Sequence, residues 1–465
     1  MNLTAKDLLG MEHIRALNFD MLKGKRFSGV STDSRTVMQR ELFFALRGET
    51  FDGHEFVAKA FERGSACVVV DERASVARHH RKPILVVKDT TKALGQLANI
   101  YRKKFDIPFI AVAGSNGKTT TKEMIATVLG KKYPVLNTQG NLNNHIGVPR
   151  TLFRLSKKHK AAVIEIGTNH FGELAYLCEI LEPTHGVITN VGHEHLEFFR
   201  DLEGVAKAEG ELFTALKKDG VGFVNADDSY IVRQSKKLRK KVTYGFSGKN
   251  AHIRGVFEQM KNNGCVRFSV KPHQKRSFEV ELSVPGNHAM INALTAAAIG
   301  VAFNVPVGKI QKALKGFRAV SKRMEVKRIK GVTILNDTYN ANPDSVLSAL
   351  QTLSMMKCKG KKIIILADML ELGSGSEQEH RKIGDVIRAM GFEYLLTYGP
   401  MAKNIHGQAS VKTNLHYDQK NVLAEYAAEL VSAGDIVLIK GSRGMKMEDV
   451  VTFLQTRLQN TSVAR

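Results

Sequence analysis

Phe109-Ile110-Ala111-Val112-Ala113-Gly114-Ser115-Asn116-Gly117-Lys118-Thr119-Thr120 is the stretch that decides the fold. Five apolar residues in a row predict a buried strand. Two glycines break it, and Lys118 opens a helical run to Leu129. Strand, glycine loop, helix is the context that a phosphate loop requires. Glycines let backbone N–H groups turn toward phosphate oxygens, and the helix N-terminus adds a positive field. Lys118 supplies charge to the β and γ phosphates, and the Thr119 hydroxyl is placed to ligate Mg²⁺. The usual pattern has its first glycine where this chain has Val112, so Gly114 is the working glycine of a shorter G-x-x-G-K-T form. Gly114, Ser115, Asn116, Gly117, Lys118, Thr119 and Thr120 are the candidate ATP-binding residues. The motif specifies nucleotide binding and no reaction. The competing reading is a glycine turn with a chance lysine, and the flanking strand and helix weigh against it.

Working outward, the pattern after Phe109 alternates strand and helix. Ala161 to Ile166 and Val187 to Thr189 read as buried strands, Glu203 to Leu216 as an amphipathic helix, and His288 to Val301 as a helix of small residues. Such alternation predicts a mostly parallel sheet covered by helices. Residues 243 to 284 are richer in strand pattern and suggest an antiparallel edge. A second α/β series follows Arg323, with strands at Val332 to Leu335, Lys362 to Leu366, Tyr394 to Thr397 and Ile436 to Ile439. Before Phe109, Cys67 to Val70 and Ile84 to Val87 read as strands and Thr91 to Lys104 as a helix. The fold class is therefore α/β in three domains. They are a small α/β domain (1–108), a central phosphate-loop domain with a mostly parallel sheet (109–320) and a C-terminal Rossmann-like domain (321–465).

The 465 residues exceed what one core usually serves. Lys and Arg number 69 against 45 Asp and Glu, a net charge of +24 that attracts polyanions and phosphate-rich substrates. The basic residues fall in scattered short runs, such as Lys236 to Lys241 and Lys271 to Arg276, and no nucleic-acid-binding motif accompanies them. No nucleic-acid partner is expected. The four cysteines form no C-x-x-C pair, which fits a reducing compartment. Met1 to Asp7 hold no apolar signal core and no apolar stretch reaches 18 residues, so a soluble, cytoplasmic protein without stable membrane insertion is expected.

Glu165 ends a predicted parallel strand, where α/β sheets bind ligands, and a carboxylate there suits Mg²⁺. Thr189-Asn190-Val191-Gly192-His193-Glu194-His195 follows another buried strand. Its histidines read equally as structural or functional, and H-E-H lacks the i, i+4 spacing of a zincin helix.

Taken together, these segments resemble the Mur ligases of bacterial cell-wall synthesis, ATP-dependent amide-forming enzymes of three domains. The likeness spans nearly the whole chain. It includes Ser31-Thr32-Asp33-Ser34-Arg35, Leu42 to Leu46 with Asp52-Gly53-His54, the loop Gly114 to Thr120, Asn141 to Gly147, and Glu165 to Asn169. It continues through Thr189 to His195, Arg323-Met324-Glu325 and Lys440 to Arg443. Asp337 to Ser345 and Ala367 to Gly373 resemble the branch that adds D-alanyl-D-alanine to a UDP-N-acetylmuramoyl-tripeptide. The branch that adds the third amino acid usually carries Asn-Pro-Arg where this chain has Asn342-Pro343-Asp344.

The resemblance implies roles, position by position. Residues 1–108 would bind the UDP-substrate, with Ser31, Asp33, Ser34, Arg35 and Phe43 near its nucleotide. Asn143, Asn340 and Asn342 would also serve substrate. ATP and Mg²⁺ are the implied cofactors. Lys118, Glu165, His195 and Arg323 would be catalytic, Asn292 would face the adenine, and Arg323 and Asp337 would reach ATP from the third domain. Thr119, Glu165, His195 and Glu209 would hold metal. A monomer is expected.

Two departures stand out. Ala289 replaces a frequent Asn beside the adenine segment. Many relatives also carry a carbamylated lysine in Ala-Lys-x-Glu, and Glu209 falls at that place here, with Lys207 on a different helix face. A glutamate is anionic without CO₂, so Glu209 would replace the carbamate, reaching the metal through water; the competing reading is a surface helix residue. Two further functions stay open at this stage. They are a relative that adds glutamate to folate and a nucleotide switch or nucleic-acid-dependent ATPase.

Overall fold

The computed structural model describes residues 1, 3–74, 81–248 and 250–460. Its described residues build three α/β layers systems in chain order, as the alternating pattern predicts. In the first, five strands run Arg15–Leu17, Ile84–Val87, Cys67–Asp71, Leu42–Phe44, Val30–Ser31 across the sheet, antiparallel only at the Arg15 edge. Cys67–Asp71 and Ile84–Val87 are buried along their whole length, which is why they read as unbroken apolar runs. Arg47 ties the sheet to the following turn. It pairs with Asp52 and, at 2.7 Å, with Asp71, while His54 Nε2 accepts the Asp71 N–H at 3.0 Å.

The helix Thr90–Arg102 joins this unit to the next. Its apolar face shares one core with Leu174, Leu177 and Ile180 of the helix Glu173–Leu181. Asn99 and Arg102 donate to the carbonyls of Glu179, Ile180, Leu181 and Glu182, which the end of that helix would otherwise leave unpaired.

The central sheet has nine strands. Phe109–Ala113 lies between Ala161–Glu165 and His185–Ile188, parallel to both. From that strand the chain first crosses to the edge strand Val135–Asn137, returns to place Ala161–Glu165 between the two, and then builds the other way from His185–Ile188. The order therefore reverses at the carboxyl end of Phe109–Ala113, which is the point where open parallel sheets form a ligand crevice. The expected antiparallel edge begins later than 243. Lys240–Gly245 and Ile253–Met260 pair in parallel, and the antiparallel pairings are those of Cys265–Pro272 with Ile253–Met260 on one side and Phe278–Pro285 on the other.

The third sheet runs Glu325–Ile329, Val332–Asp337, Ile436–Lys440, Lys362–Ala367, Tyr394–Tyr398, Thr413–Tyr417, parallel except at its first pair. Asp337 and Lys440 are register neighbours at the carboxyl ends of adjacent strands. Among the described residues no helix is long and apolar enough to cross a membrane.

Candidate active site

The loop after Phe109–Ala113 is shaped by its glycines. Gly114 has φ +115°, and a Cβ there would stand 2.3 Å from Thr189 Oγ1 and 2.7 Å from the Thr189 nitrogen. Only glycine combines that backbone with that approach. The loop is then pinned: Ser115 N–H donates to the Asn190 carbonyl (2.9 Å), Asn116 N–H to Asn190 Oδ1 (2.9 Å), and the Thr189 hydroxyl to the Asn116 carbonyl (2.7 Å). Gly117 caps the helix Lys118–Leu129 in the left-handed region. The helix therefore begins at the lysine, as the sequence predicts.

A cavity of about 320 Å³ opens in front of this loop, lined by Ser115 to Thr120. That volume lies at the lower end of small-molecule sites. From the central domain Asn143, Glu165, Glu194, His195 and Asn292 also line it; Arg323, Asp337, Asn340 and Asn342 come from the third domain. Nearly all the residues expected at ATP are thus brought to one cavity between two domains. Gly114 lies just behind its wall. A second cavity, beside Thr168, Asn169, Glu173 and Tyr176, shares Lys118, Asn143 and His195 with the first. The two spaces meet at the lysine.

Lys118 Nζ donates to the Gly114 carbonyl at 2.5 Å and the Ser115 carbonyl at 3.2 Å, and lies 3.3 Å from Glu194 Oε2. Burial pushes its pKa down, but Glu194, Glu209 and Glu165 outweigh that and hold it above the usual lysine value. The ammonium stays charged.

Glu165 is 2% exposed. Its Oε1 accepts from the Thr119 hydroxyl (3.1 Å) and Asn143 Nδ2 (3.0 Å), whereas Oε2 is buried with no hydrogen-bond partner. A sealed carboxylate oxygen without a donor is costly. Thr119 and Glu165 therefore offer hard oxygen ligands at the phosphate loop, which fits Mg²⁺. His195 is also beside the loop, its Nε2 3.9 Å from Glu194 Oε2.

Glu209 departs from expectation. It is neither a surface residue nor part of the cavity wall. At 1% exposure it sits behind the loop, and its Oε2 accepts the Gly114 N–H at 2.7 Å. Burial first, opposed by Lys118 and reinforced by hydrogen-bonded Glu194, holds its carboxyl well above the usual range. A glutamate here is not automatically anionic, because low-dielectric surroundings disfavour its charge. Among the described residues no three His, Cys, Asp or Glu gather as a metal cluster, so Glu165, His195 and Glu209 do not form one.

The first-domain residues lie away from both cavities. Arg35 makes a two-pronged pair with Asp33 (3.0 and 2.8 Å), which depresses the Asp33 pKa to about 2, and Ser31 Oγ accepts the Asp33 N–H at 3.2 Å. Ser34 is buried beside them. Phe43 corrects the sequence expectation: it is 1% exposed, packed against Val37, Val57 and Phe61 in the core, and has no surface for a nucleotide.

The third domain adds Lys440, Tyr339 and Asp344, which lie in segments that carry the resemblance but have no role implied for them there. Lys440 is 2% exposed and bonds Asp337 Oδ2 at 2.6 Å and the Asn340 carbonyl at 2.9 Å. Adjacent strand ends bring them together; the lysine's place at the end of an apolar strand was the available signal. Tyr339 stacks 3.8 Å from the Arg323 guanidinium. Asp344 accepts the His193 N–H at 2.6 Å and faces its Nδ1 at 3.1 Å, and Asn342 Nδ2 donates to Asn116 Oδ1 at 3.0 Å. The hydrogen bond to Asp344 raises the His193 pKa, with burial opposing. These contacts join the third domain directly to the phosphate loop.

This is the architecture of a phosphate-loop nucleotide crevice shared by two α/β domains, and comparison with known proteins gives its family. Residues 26–102 match the Mur ligase family catalytic domain, 112–300 the Mur ligase middle domain, and 322–443 the Mur ligase glutamate ligase domain. The UDP-N-acetylmuramoyl-tripeptide–D-alanyl-D-alanine ligase of Bacillus subtilis is 37% identical over 429 residues, 91% of this chain and 92% of its own. The Escherichia coli enzyme of the same name is 34% identical over 431 residues, 92% of this chain and 93% of its own. Crystal structure I of MurF from Acinetobacter baumannii superposes with a TM-score of 0.88 at 29% identity, covering 98% of this chain and 99% of its own. MurF ligase from Thermotoga maritima, solved in complex with ADP, gives a TM-score of 0.84 at 26% identity, covering 93% of this chain and 98% of its own. The chain belongs to the Mur ligase family.

Proposed function

We infer that the protein is an ATP-dependent ligase joining the amine of D-alanyl-D-alanine to the terminal carboxylate of a UDP-N-acetylmuramoyl-tripeptide, a step in peptidoglycan precursor synthesis. The observation that carries the reading is the meeting of the two cavities at Lys118, Asn143 and His195. A nucleotide in the first would present its γ-phosphate there, and a carboxylate in the second would approach the same point.

A carboxylate is a poor acyl donor because its oxide is a poor leaving group. Its oxygen attacks the γ-phosphorus, the bond to the ADP oxygen breaks, and an acyl phosphate forms. The dipeptide amine then attacks the carbonyl carbon, loses a proton, and phosphate leaves with one oxygen of the original carboxylate. Phosphoryl transfer needs chiefly position and charge neutralisation. Loop N–H groups and Lys118 serve the phosphates, and Arg323, held by Tyr339, adds charge from the opposite wall. Asn292 would face the adenine, and Asp337 with Lys440 fixes part of the cavity wall. When bound, Mg²⁺ neutralises phosphate charge; Thr119, Glu165 and His195 would hold it, with phosphate and water completing the shell. Glu209 braces the loop from behind through Gly114. Asn340 and Asn342 line the nucleotide cavity from the third domain, where Asn342 holds Asn116 of the loop, and Ser31 to Arg35 would serve the UDP end. The contacts between loop and third domain hold the two domains together across the crevice, and closure there would protect an acyl phosphate from water.

The test is phosphate release with ATP and the UDP-tripeptide, with and without D-alanyl-D-alanine. Release dependent on the dipeptide, with one new amide per phosphate, supports the reading. Equal release in both refutes it.

A further inference from the structure

The loop from Asp368 to Gly373 belongs to the third domain, yet its tip crosses to the central domain. Its base is pinned at consecutive residues. The Asp368 carbonyl accepts the Ser442 N–H (3.0 Å), the Met369 N–H donates to His380 Nε2 (3.0 Å), and the Leu370 N–H donates to Ser442 Oγ (2.8 Å). Beyond them Glu371 places its Oε2 2.6 Å from His195 Nδ1, an ion-pair distance whose angle falls outside a good hydrogen bond. The Glu371 carbonyl accepts the Glu197 N–H at 3.3 Å, so backbone as well as side chain docks on the His195 turn.

Both partners hold backbones that L residues rarely adopt, φ +49° at His195 and +64° at Glu371. Such conformations persist where the surroundings impose them and concentrate at functional sites. Here two of them face each other across a domain boundary, beside the point where the cavities meet. A carboxylate at one imidazole nitrogen fixes the tautomer and turns the other nitrogen outward as an electron-pair donor. His195 has its Nδ1 toward Glu371 and its Nε2 toward Glu194 and the loop.

We propose that Glu371 is a positioning residue for His195, supplied by the third domain, so that the outward Nε2 is fixed only when the two domains are shut. The inference rests on the reading of His195 as a Mg²⁺ ligand. It gives a physical reason for a carboxylate loop with a left-handed backbone at Glu371 that reaches from the third domain to the His195 turn. Domain closure would then complete the cation site as well as exclude water.

The test uses the full chain with ADP bound and Mn²⁺ as the probe, read by the spectrum of free Mn²⁺. Glu371→Ala is expected to weaken Mn²⁺ binding about 10–100-fold, leave metal-free ADP affinity within about twofold, and lower kcat while KM for both substrates holds. Glu371 is half exposed, so the variant should fold; an unchanged melting temperature checks this. His195→Ala should lose Mn²⁺ affinity similarly, and the double variant should lose no more than either alone. Loss in His195→Ala with none in Glu371→Ala overturns the inference alone. No loss in either overturns the reading of His195 beneath it. A rise in KM at constant kcat also overturns the inference, since it marks a substrate contact.

Discussion

Gly114→Ala probes the shape of the phosphate loop most sharply. At φ +115° an alanine is strained by roughly 1–3 kcal/mol. Its Cβ would also stand 2.3 Å from Thr189 Oγ1 and 2.7 Å from the Thr189 nitrogen. Neither atom is free to retreat, because the nitrogen donates to the Ala113 carbonyl at 3.0 Å and the hydroxyl to the Asn116 carbonyl at 2.7 Å. Overpacking of this kind costs a further ~1–3 kcal/mol. Kept rigid, the loop would lose about 2–6 kcal/mol of stability; shifting to relieve this would move the N–H groups off the phosphates and break the Glu209 contact. Gly140 is the control, with φ +55° and nothing within 4 Å of a Cβ, so Gly140→Ala carries only the backbone cost of about 1–2 kcal/mol. Urea unfolding and calorimetric ADP titration should show Gly114→Ala as the more destabilised variant, with ADP affinity at least about tenfold weaker, or about 1.4 kcal/mol. Equal destabilisation in the two variants, with ADP binding intact in both, would refute the steric argument.

Glu165→Gln keeps an acceptor for Thr119 and Asn143 but removes the anionic oxygen that has no partner. Phosphate release should fall about 10²–10³-fold while the melting temperature holds; activity within tenfold of wild type would contradict this. Asn342→Ala removes the cap on the helix Pro343–Met355 and the bond to Asn116, and should cost about 1 kcal/mol of stability with a measurable rise in KM for ATP. Asp71, held at about 2, titrates below its unfolded value. Burial opposes that shift, and Arg47, His54 and Arg73 overcome it. Its contribution is therefore complete above pH ~4 and lost as pH falls toward 2. Asp71→Asn should flatten the urea midpoint across that window, and an unchanged slope would count against the pairing.

Much of this molecule was legible where one residue type does one job. The unbroken apolar strands, the glycine loop and the helix opening at Lys118 all appear where the pattern predicts, because fully buried parallel strands leave no room for polar residues. Thr413–Tyr417 was missed: it is a half-buried edge strand carrying Asn414 and His416, with no apolar run to mark it. Glu325–Ile329 was missed for the same reason. Phe43 and Glu209 show the other limit. Which way each side chain faces is decided by packing between distant segments, and burial raises the Glu209 carboxyl above its ordinary range. The interdomain pairs Asp344–His193 and Glu371–His195 join residues more than 150 positions apart, a proximity that no local pattern encodes.

The proposed reaction turns on ATP activating the tripeptide carboxylate as an acyl phosphate in this crevice. Labelling both oxygens of that carboxylate with ¹⁸O, and analysing phosphate by mass spectrometry after one round of ligation, tests it directly. One ¹⁸O is expected in each phosphate released, with one ¹⁸O retained in the new amide. Unlabelled phosphate, with both labelled oxygens still on the peptide, would contradict it.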